Sequence, residues 1–267
     1  MPIETEFKII RLNQSEFHEI NEKVMAWAFG IHRELGRSCH ERIYQNGLKA
    51  ACLENDLFTC TAEAEVKVVH GTFSKSYFLD LFVADGVVYE TKTVQAFHDN
   101  HRKQLLNYLM LLGLHHGTLL NFRPRSMEHE FVSTGLTPDK RRQFEIIEHD
   151  WKPKDKRSLE LLEIMKELLH DWGAFLDVSL YIEAVTHHVG GSNQVITPIA
   201  VKHGNSILGY QNVRLLDAQT AFKITAATKN IQYYKKDLLR FLSHTDLKEL
   251  QWVNLNHHTI EFRTLSK

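Results

Sequence analysis

LDLFVADGVVYETKT, from Leu79 to Thr93, reads as two short strands rich in Val, Phe, Leu and Tyr, joined through an Asp-Gly turn at Asp85 and Gly86. With the turn centred on Asp85, Asp80 and Glu90 fall opposite each other, each five residues from that centre. Directly opposed Cβ atoms on an antiparallel pair are roughly 5 Å apart, a separation at which two carboxylates repel. The strand period of two adds Lys92 to the face of Glu90 and turns Thr91 away. One face therefore gathers two acids and an amine, while Leu79, Leu81, Val83, Val87, Tyr89 and Thr91 cover the other.

A hard divalent cation takes oxygen ligands and relieves such repulsion, and a lysine beside it can hold a phosphate oxygen or polarise a water. That combination suits phosphodiester hydrolysis. The plain alternative is an ordinary hairpin with a wet polar face, on which Glu90 and Lys92 form a solvated pair.

Upstream of the hairpin, Ser15 can cap a helix to about Leu35, with Phe17, Ile20, Val24, Trp27, Ile31 and Leu35 at spacings of three and four and Gly36 as its stop. A second helix runs from about His40 to Asn55 with Ile43, Leu48, Ala51 and Cys52 inward and Glu41 in its first turn, where an acid ordinarily serves the helix dipole. A strand from Thr59 to Val69 follows, with a turn at His70 and Gly71 before the pair Phe78 to Val83 and Val87 to Thr93. Downstream, a helix from about Phe97 to Gly113 buries Leu105, Tyr108, Leu109 and Leu112, and Gln104 shares a face with Tyr108. Strands at Thr118 to Phe122 and Glu128 to Val132 complete an α/β or α+β sandwich around a mixed sheet.

The 267 residues hold one large domain or two modest ones, and 43% apolar with 24% charged residues is ordinary for a soluble protein. A net charge of −1 favours neither a nucleic-acid partner nor its absence, since a basic groove can hide in a neutral total. No apolar run approaches the roughly 20 residues of a membrane span, and the start lacks a signal peptide's basic and apolar regions, so a cytoplasmic protein without membrane contact is expected. Cys39, Cys52 and Cys60 form no CxxC pair, which disfavours zinc and suits a reducing compartment, and the 17 histidines are scattered.

Several separated pieces then recur in one order: IHRELG at Ile31 to Gly36, Glu41 and Tyr44 in SCHERIY, Asp80, Glu90 and Lys92 in YETK, QLLNYL from Gln104, and LLNF from Leu119. From about Val24 to Val132 the chain resembles the GxxExxY proteins, a branch of the PD-(D/E)xK nuclease superfamily. One departure is Ser38, which stands where that family's naming glycine would be. The resemblance implies a restriction-endonuclease-like mixed sheet flanked by helices and a nuclease dependent on Mg2+, with Mn2+ able to substitute. It implies Asp80, Glu90 and Lys92 as the catalytic core, Glu41 as a further acid, and Gln104 with Tyr108 as the QxxxY of related nucleases. Asp80, Glu90, Glu41 and the Thr91 carbonyl are the metal ligands it implies.

Past the charged, proline-containing stretch from Gly135 to Ser158, a helix from Ser158 to about Trp172 opens a second unit, with the expected domains at 1–150 and 151–267. At an offset of 133, His70-Gly71 meets His203-Gly204, Lys103 meets Lys236, Leu109 meets Leu242 and Asn121 meets Asn254; at 137, Gly36 meets Gly173 and Tyr44 meets Tyr181. An internal duplication explains such shared offsets, and convergent patterning is the alternative. At these offsets Asp80, Glu90, Lys92, Gln104 and Glu41 become Val213, Lys223, Thr225, Asp237 and Val178. The expectation is a nuclease acting on DNA in preference to RNA, with a degenerate, silent second copy forming an intramolecular pseudo-dimer. Lys223, Lys229, Lys235, Lys236 and Arg240 could touch phosphates there, and Tyr233 or Tyr234 could stack on bases. The rival is a non-catalytic nucleic-acid-binding or protein-interaction scaffold on the same fold.

Overall fold

The computed structural model describes residues 2–55, 58–153 and 155–267. The chain divides into two compact units, Met1–Val69 with Ser74–Pro138, and His70–Phe73 with Asp139–Lys267. No helix among the described residues is long and apolar enough to cross a membrane.

The first unit runs β1 (Ile3–Glu4), α1 (Gln14–Leu35), α2 (Glu41–Glu54), β2 (Cys60–His70), β3 (Phe73–Val83), β4 (Val87–Lys92), α3 (Asp99–Leu112), β5 (His116–Asn121) and β6 (Glu128–Ser133). Its six strands line up in chain order, with β4 and β5 parallel and β3/β4 and β5/β6 antiparallel. The parallel pair β4/β5 is connected through α3, the helical crossover that parallel neighbours require. Phe17, Ile20, Val24, Tyr44 and Leu48 of α1 and α2 pack on Leu81, Val87, Tyr89 and Leu120 on one sheet face. On the opposite face α3 approaches so closely that a Cβ on Gly117 would meet Leu105 at 3.0 Å.

Local chemistry corrects several expected details. Asn13, not Ser15, caps α1: its Oδ1 accepts the Glu16 N–H at 3.0 Å while Glu16 Oε2 accepts the Asn13 N–H at 2.8 Å. Ile43 is 44% exposed, and Tyr44 takes the inward place on α2, its hydroxyl donating to Gly36 O at 2.7 Å. The β2/β3 turn falls on Gly71 and Thr72, and β3 begins at Phe73, five residues earlier than expected. The deciding hairpin turns through three residues, Ala84 to Gly86, with Ala84 (φ 53°) and Asp85 (φ 54°) left-handed. Gly86 is required for a different reason, since a Cβ there would stand 2.7 Å from Ile10 O.

The second unit runs α4 (Pro138–Arg141), β7 (Glu145–Asp150), α5 (Lys156–Trp172), α6 (Val178–His188), α7 (Ser192–Val195), β8 (Ile196–His203), β9 (Ser206–Leu215), β10 (Thr220–Thr225), α8 (Ile231–Ser243), β11 (Glu249–Asn256) and β12 (Thr259–Ser266). Residues 145–150, placed with the first unit by the sequence, form β7 and pair in parallel with β12 in the second sheet. Its order is β7-β12-β11-β10-β9-β8.

Strand pairing in the two sheets coincides at an offset of 133. Tyr89↔Thr118 corresponds to Phe222↔Gln251, Leu81↔Tyr89 to Arg214↔Phe222, and Asn121↔Glu128 to Asn254↔Glu261. Side chains repeat as well. Asn121 grips the backbone of Val94 at 3.1 and 2.9 Å, and Asn254 grips that of Ala227 at 2.9 and 2.9 Å. Tyr181 donates to Gly173 O as Tyr44 does to Gly36 O. The buried pair Thr118–Asn21 has as counterpart Gln251–Ser158, with the larger and smaller partners exchanged.

Candidate active site

The pairs Leu81↔Tyr89, Phe82↔Val88 and Val83↔Val87 set a register whose next step faces Asp80 with Glu90, as the sequence predicts. At that step the carboxylate intervenes in the hydrogen bonding. Asp80 Oδ2 accepts the Thr91 N–H at 2.7 Å, an N–H that would otherwise seek a ladder carbonyl, and the Thr91 hydroxyl at 2.8 Å. Thr91 is therefore not turned away from the acids; its hydroxyl is tied to one of them.

Glu90 has 1% of its side chain exposed, Asp80 16% and Lys92 13%. The Lys92 ammonium donates to Glu90 Oε1 and lies 4.0 Å from Asp80 Oδ2. Burial first, and Asp80 second, push the Glu90 carboxyl up to about 8 against the opposing pull of Lys92. Burial alone would lower Lys92, but Glu90, Asp80 and Glu41 together hold it above the usual lysine range. Glu41, brought in by the first turn of α2, is raised by burial, held back by Lys92, and raised again by Asp80. Helix-dipole service is thus only part of its setting, because it shares the field of the hairpin acids.

Around this group stand residues that fix it. Gln104 Nε2 donates to the Tyr108 hydroxyl at 3.0 Å, and burial raises Tyr108 with Glu90 and Asp80 adding to the effect. Gln45, one turn after Glu41 on α2, donates from Nε2 to Thr91 Oγ1 at 2.9 Å. Gln45 is not among the residues the sequence singles out, although its i+4 spacing from Glu41 is a usable signal. Asn121, visible in the sequence only within LLNF and as a repeat match, clamps the segment after Lys92 to β5.

The donor set is oxygen-rich, as a hard divalent cation requires. Glu90 Oε2 is buried without a hydrogen-bond partner among the described residues, an atom whose burial a cation would compensate. Among the described residues, no three His, Cys, Asp or Glu side chains stand ready at coordinating distance, the Lys92 ammonium lying among the acids. The residues fit the ion in kind, and binding would draw Glu90 from Lys92.

A second feature begins where β5 leaves Asn121. Arg125 to Met127 and the end of α1 border an open cavity of about 490 Å³ lined by His32, Arg33, Arg37 and Arg125. Among the described residues, none of the three arginines has a carboxylate within 4.0 Å.

Paired strands β3 and β4 bring an acid and a Glu-x-Lys together in a mixed sheet with helices on both faces. Residues 18–134 match the family model described as the PD-(D/E)XK nuclease superfamily, of which the GxxExxY proteins are a branch. Superfamily members are usually nucleases and typically use divalent metals. Comparison with curated proteins and with solved structures gave no significant match.

Proposed function

We propose that the first unit is a metal-dependent nuclease acting on DNA in preference to RNA, with Asp80, Glu90 and Lys92 as its core. The observation that carries this is the buried Oε2 of Glu90, without a hydrogen-bond partner among the described residues, beside Asp80 and Lys92. Asp80, Glu90 and Glu41, with the Thr91 carbonyl, would hold Mg2+, or Mn2+ in its place. When bound, the cation supplies Lewis acidity toward a phosphoryl oxygen and acidifies water.

The chain's own groups do the rest. The Lys92 ammonium, which donates to Glu90 Oε1, would donate to a non-bridging phosphate oxygen or orient the attacking water. The Thr91 hydroxyl and N–H fix the direction of Asp80, and Gln45 fixes the hydroxyl. Gln104 donates to the hydroxyl of the buried Tyr108 and orients it. The arginine-lined cavity would offer a phosphate backbone positive charge.

The second unit is, in this proposal, a degenerate copy of the first that arose by duplication and is catalytically silent. The coincident strand registers, the repeated Tyr–Gly and Asn clamps and the exchanged Thr118–Asn21 pair support it. The rival, a nucleic-acid-binding scaffold without turnover, draws on the Lys92–Glu90 pairing that leaves no acid trio preassembled among the described residues.

Cleavage of plasmid and single-stranded DNA with added Mg2+ or Mn2+ separates the two. Wild type should cut, and Asp80→Ala, Glu90→Ala and Lys92→Ala should each lose at least a hundred-fold in rate with far-ultraviolet spectra intact. A wild type that binds DNA but never cuts it, or an Asp80→Ala variant cutting at the wild-type rate, refutes the assignment.

A further inference from the structure

The second unit carries a cavity of about 440 Å³, a size typical of small-molecule sites, in the place its sister unit gives to the acids. Val213, Lys223, Asp237 and Phe241 line it, the counterparts at an offset of 133 of Asp80, Glu90, Gln104 and Tyr108. Ile182, the counterpart of Gln45, lines it too, so an organised polar shell has become a largely apolar pocket. With Lys223 in the place of Glu90, the charge among the lining residues is inverted.

The electrostatics follow from what each charged group meets. Lys223 is exposed, its ammonium 5.8 Å from the Tyr234 ring centroid, and among the described residues no carboxylate lies within 4.0 Å of it. Arg214 also borders the cavity and spends Nε on the Thr186 hydroxyl at 3.0 Å. Asp237 is the lone acid among the lining residues, and Arg240 meets its carboxylate at 3.0 Å. The cavity therefore presents net positive charge against walls of Ala221, Ile224, Leu238 and Phe241. Tyr234 and Phe241, seven apart on α8, present two rings over two turns of one helix face.

We propose that this cavity binds a small organic anion with a flat ring, a mononucleotide or an aromatic carboxylate, its anionic group on Lys223 and its ring against Tyr234 and Phe241. The loss of the metal-site acids is then a change of ligand, from a cation to an anion, and not only a loss of function. Opposite charge attracts the head group, and ring burial supplies the remaining affinity. The site stands or falls independently of whether the first unit cuts DNA.

Calorimetric titration of the full chain in EDTA, with thymidine 5′-monophosphate and separately with sodium benzoate, tests it. Wild type and Asp80→Ala should bind at least one probe saturably at one site per chain. Lys223→Glu should bind it at least ten-fold more weakly, Lys223→Gln should fall between, and Val213→Phe, which fills the cavity, should abolish binding. Circular dichroism of each variant establishes that it is folded, and the exposed position of Lys223 makes its two variants the decisive ones. Thymidine and inorganic phosphate, each carrying half of the proposed chemistry, should bind at least ten-fold more weakly than the nucleotide if the nucleotide is the probe bound. Absence of saturable binding for both probes, or binding undiminished in Lys223→Glu, overturns the proposal.

Discussion

The side-chain amide of Gln45 donates to Thr91 Oγ1 across 2.9 Å, and Thr91 Oγ1 donates in turn to Asp80 Oδ2 at 2.8 Å. Both Gln45 and Thr91 are buried, so α2 reaches Asp80 through a dry two-bond relay. In the second unit the same two places hold Ile182 and Ile224, an apolar pair without a relay. Gln45→Ile should therefore cost about 1–3 kcal/mol, because it strands part of the Thr91 hydroxyl. It should also slow cleavage about ten-fold or more by loosening Asp80. The double variant Gln45→Ile/Thr91→Ile should regain stability, since two apolar groups replace two polar ones, yet stay slow. Urea denaturation beside a plasmid-nicking assay reads both effects, and a double variant as active as wild type would remove the relay from the site.

Glu90 sets a pH dependence whose sign is fixed by its environment. Its carboxyl lies at about 8 in the folded chain against 4.5 for the ordinary group, so between those values the folded state holds a proton the unfolded state has lost. Without metal, the stability from that proton is full below about pH 4.5 and is lost as pH rises through about 8, for a total on the order of 2–4 kcal/mol. Glu90→Gln should flatten this slope and leave the metal-free protein the more stable of the two at pH 9. If Glu90 holds the proposed cation, metal and proton compete for one carboxyl, so Mg2+ affinity should climb with pH up to about 8 and binding should release close to one proton per ion at pH 7. Thermal melts across pH, and calorimetry in buffers of differing ionisation enthalpy, measure the two halves separately.

The hairpin was legible because its signals are local: a period of two, a turn marker, and a register that follows once the turn's centre is known. The turn's own conformation was not, since Asp-Gly suggests a left-handed glycine, whereas here Ala84 and Asp85 are left-handed and Gly86 answers to Ile10, 76 residues away. Edge strands were the other blind spot. β1 is two residues long, and β7 is a polar run, EIIEHD, whose pairing with β12 no periodicity announces. The acids could be found from Asp80, Glu90 and Glu41 alone, but the residues that hold them could not. Gln45 and Asn121 act across 46 and 27 positions, and a single chain shows such partners only when it is folded.

Two glycines make opposite predictions about stability. At Gly86 an added Cβ would lie 2.7 Å from the Ile10 carbonyl and 2.7 Å from Leu12 Cγ, and the first of these is backbone that cannot rotate aside. Gly86→Ala should therefore destabilise the first unit by about 1–3 kcal/mol, as overpacking does. Gly30 lies in the interior of α1 with nothing within 4 Å of the place an added Cβ would take, so Gly30→Ala should stabilise by about 0.5–1 kcal/mol through helix propensity. Chemical denaturation of both variants decides it, and a neutral Gly86→Ala would show that the Ile10 to Leu12 segment is free to shift.

The arginines of the cavity beside β5 predict how substrate is held. Arg33, Arg37 and Arg125 lack carboxylate partners among the described residues and border one cavity, the first two at the end of α1 and Arg125 on the segment that follows the strand paired with Lys92. If phosphates of the substrate lie there, each arginine releases about one condensed counterion on binding. Arg37→Glu/Arg125→Glu should then weaken DNA binding regardless of sequence and lower the slope of log affinity against log salt by about two. Neither residue takes part in the Asp80–Glu90–Lys92 group, so the rate at saturating DNA should stay near wild type while KM rises. Fluorescence anisotropy at several salt concentrations, with single-turnover cleavage on the same samples, measures both quantities. An unchanged salt slope would place the nucleic acid on another face of the unit, whereas a lost saturating rate would make the cavity part of the reacting centre.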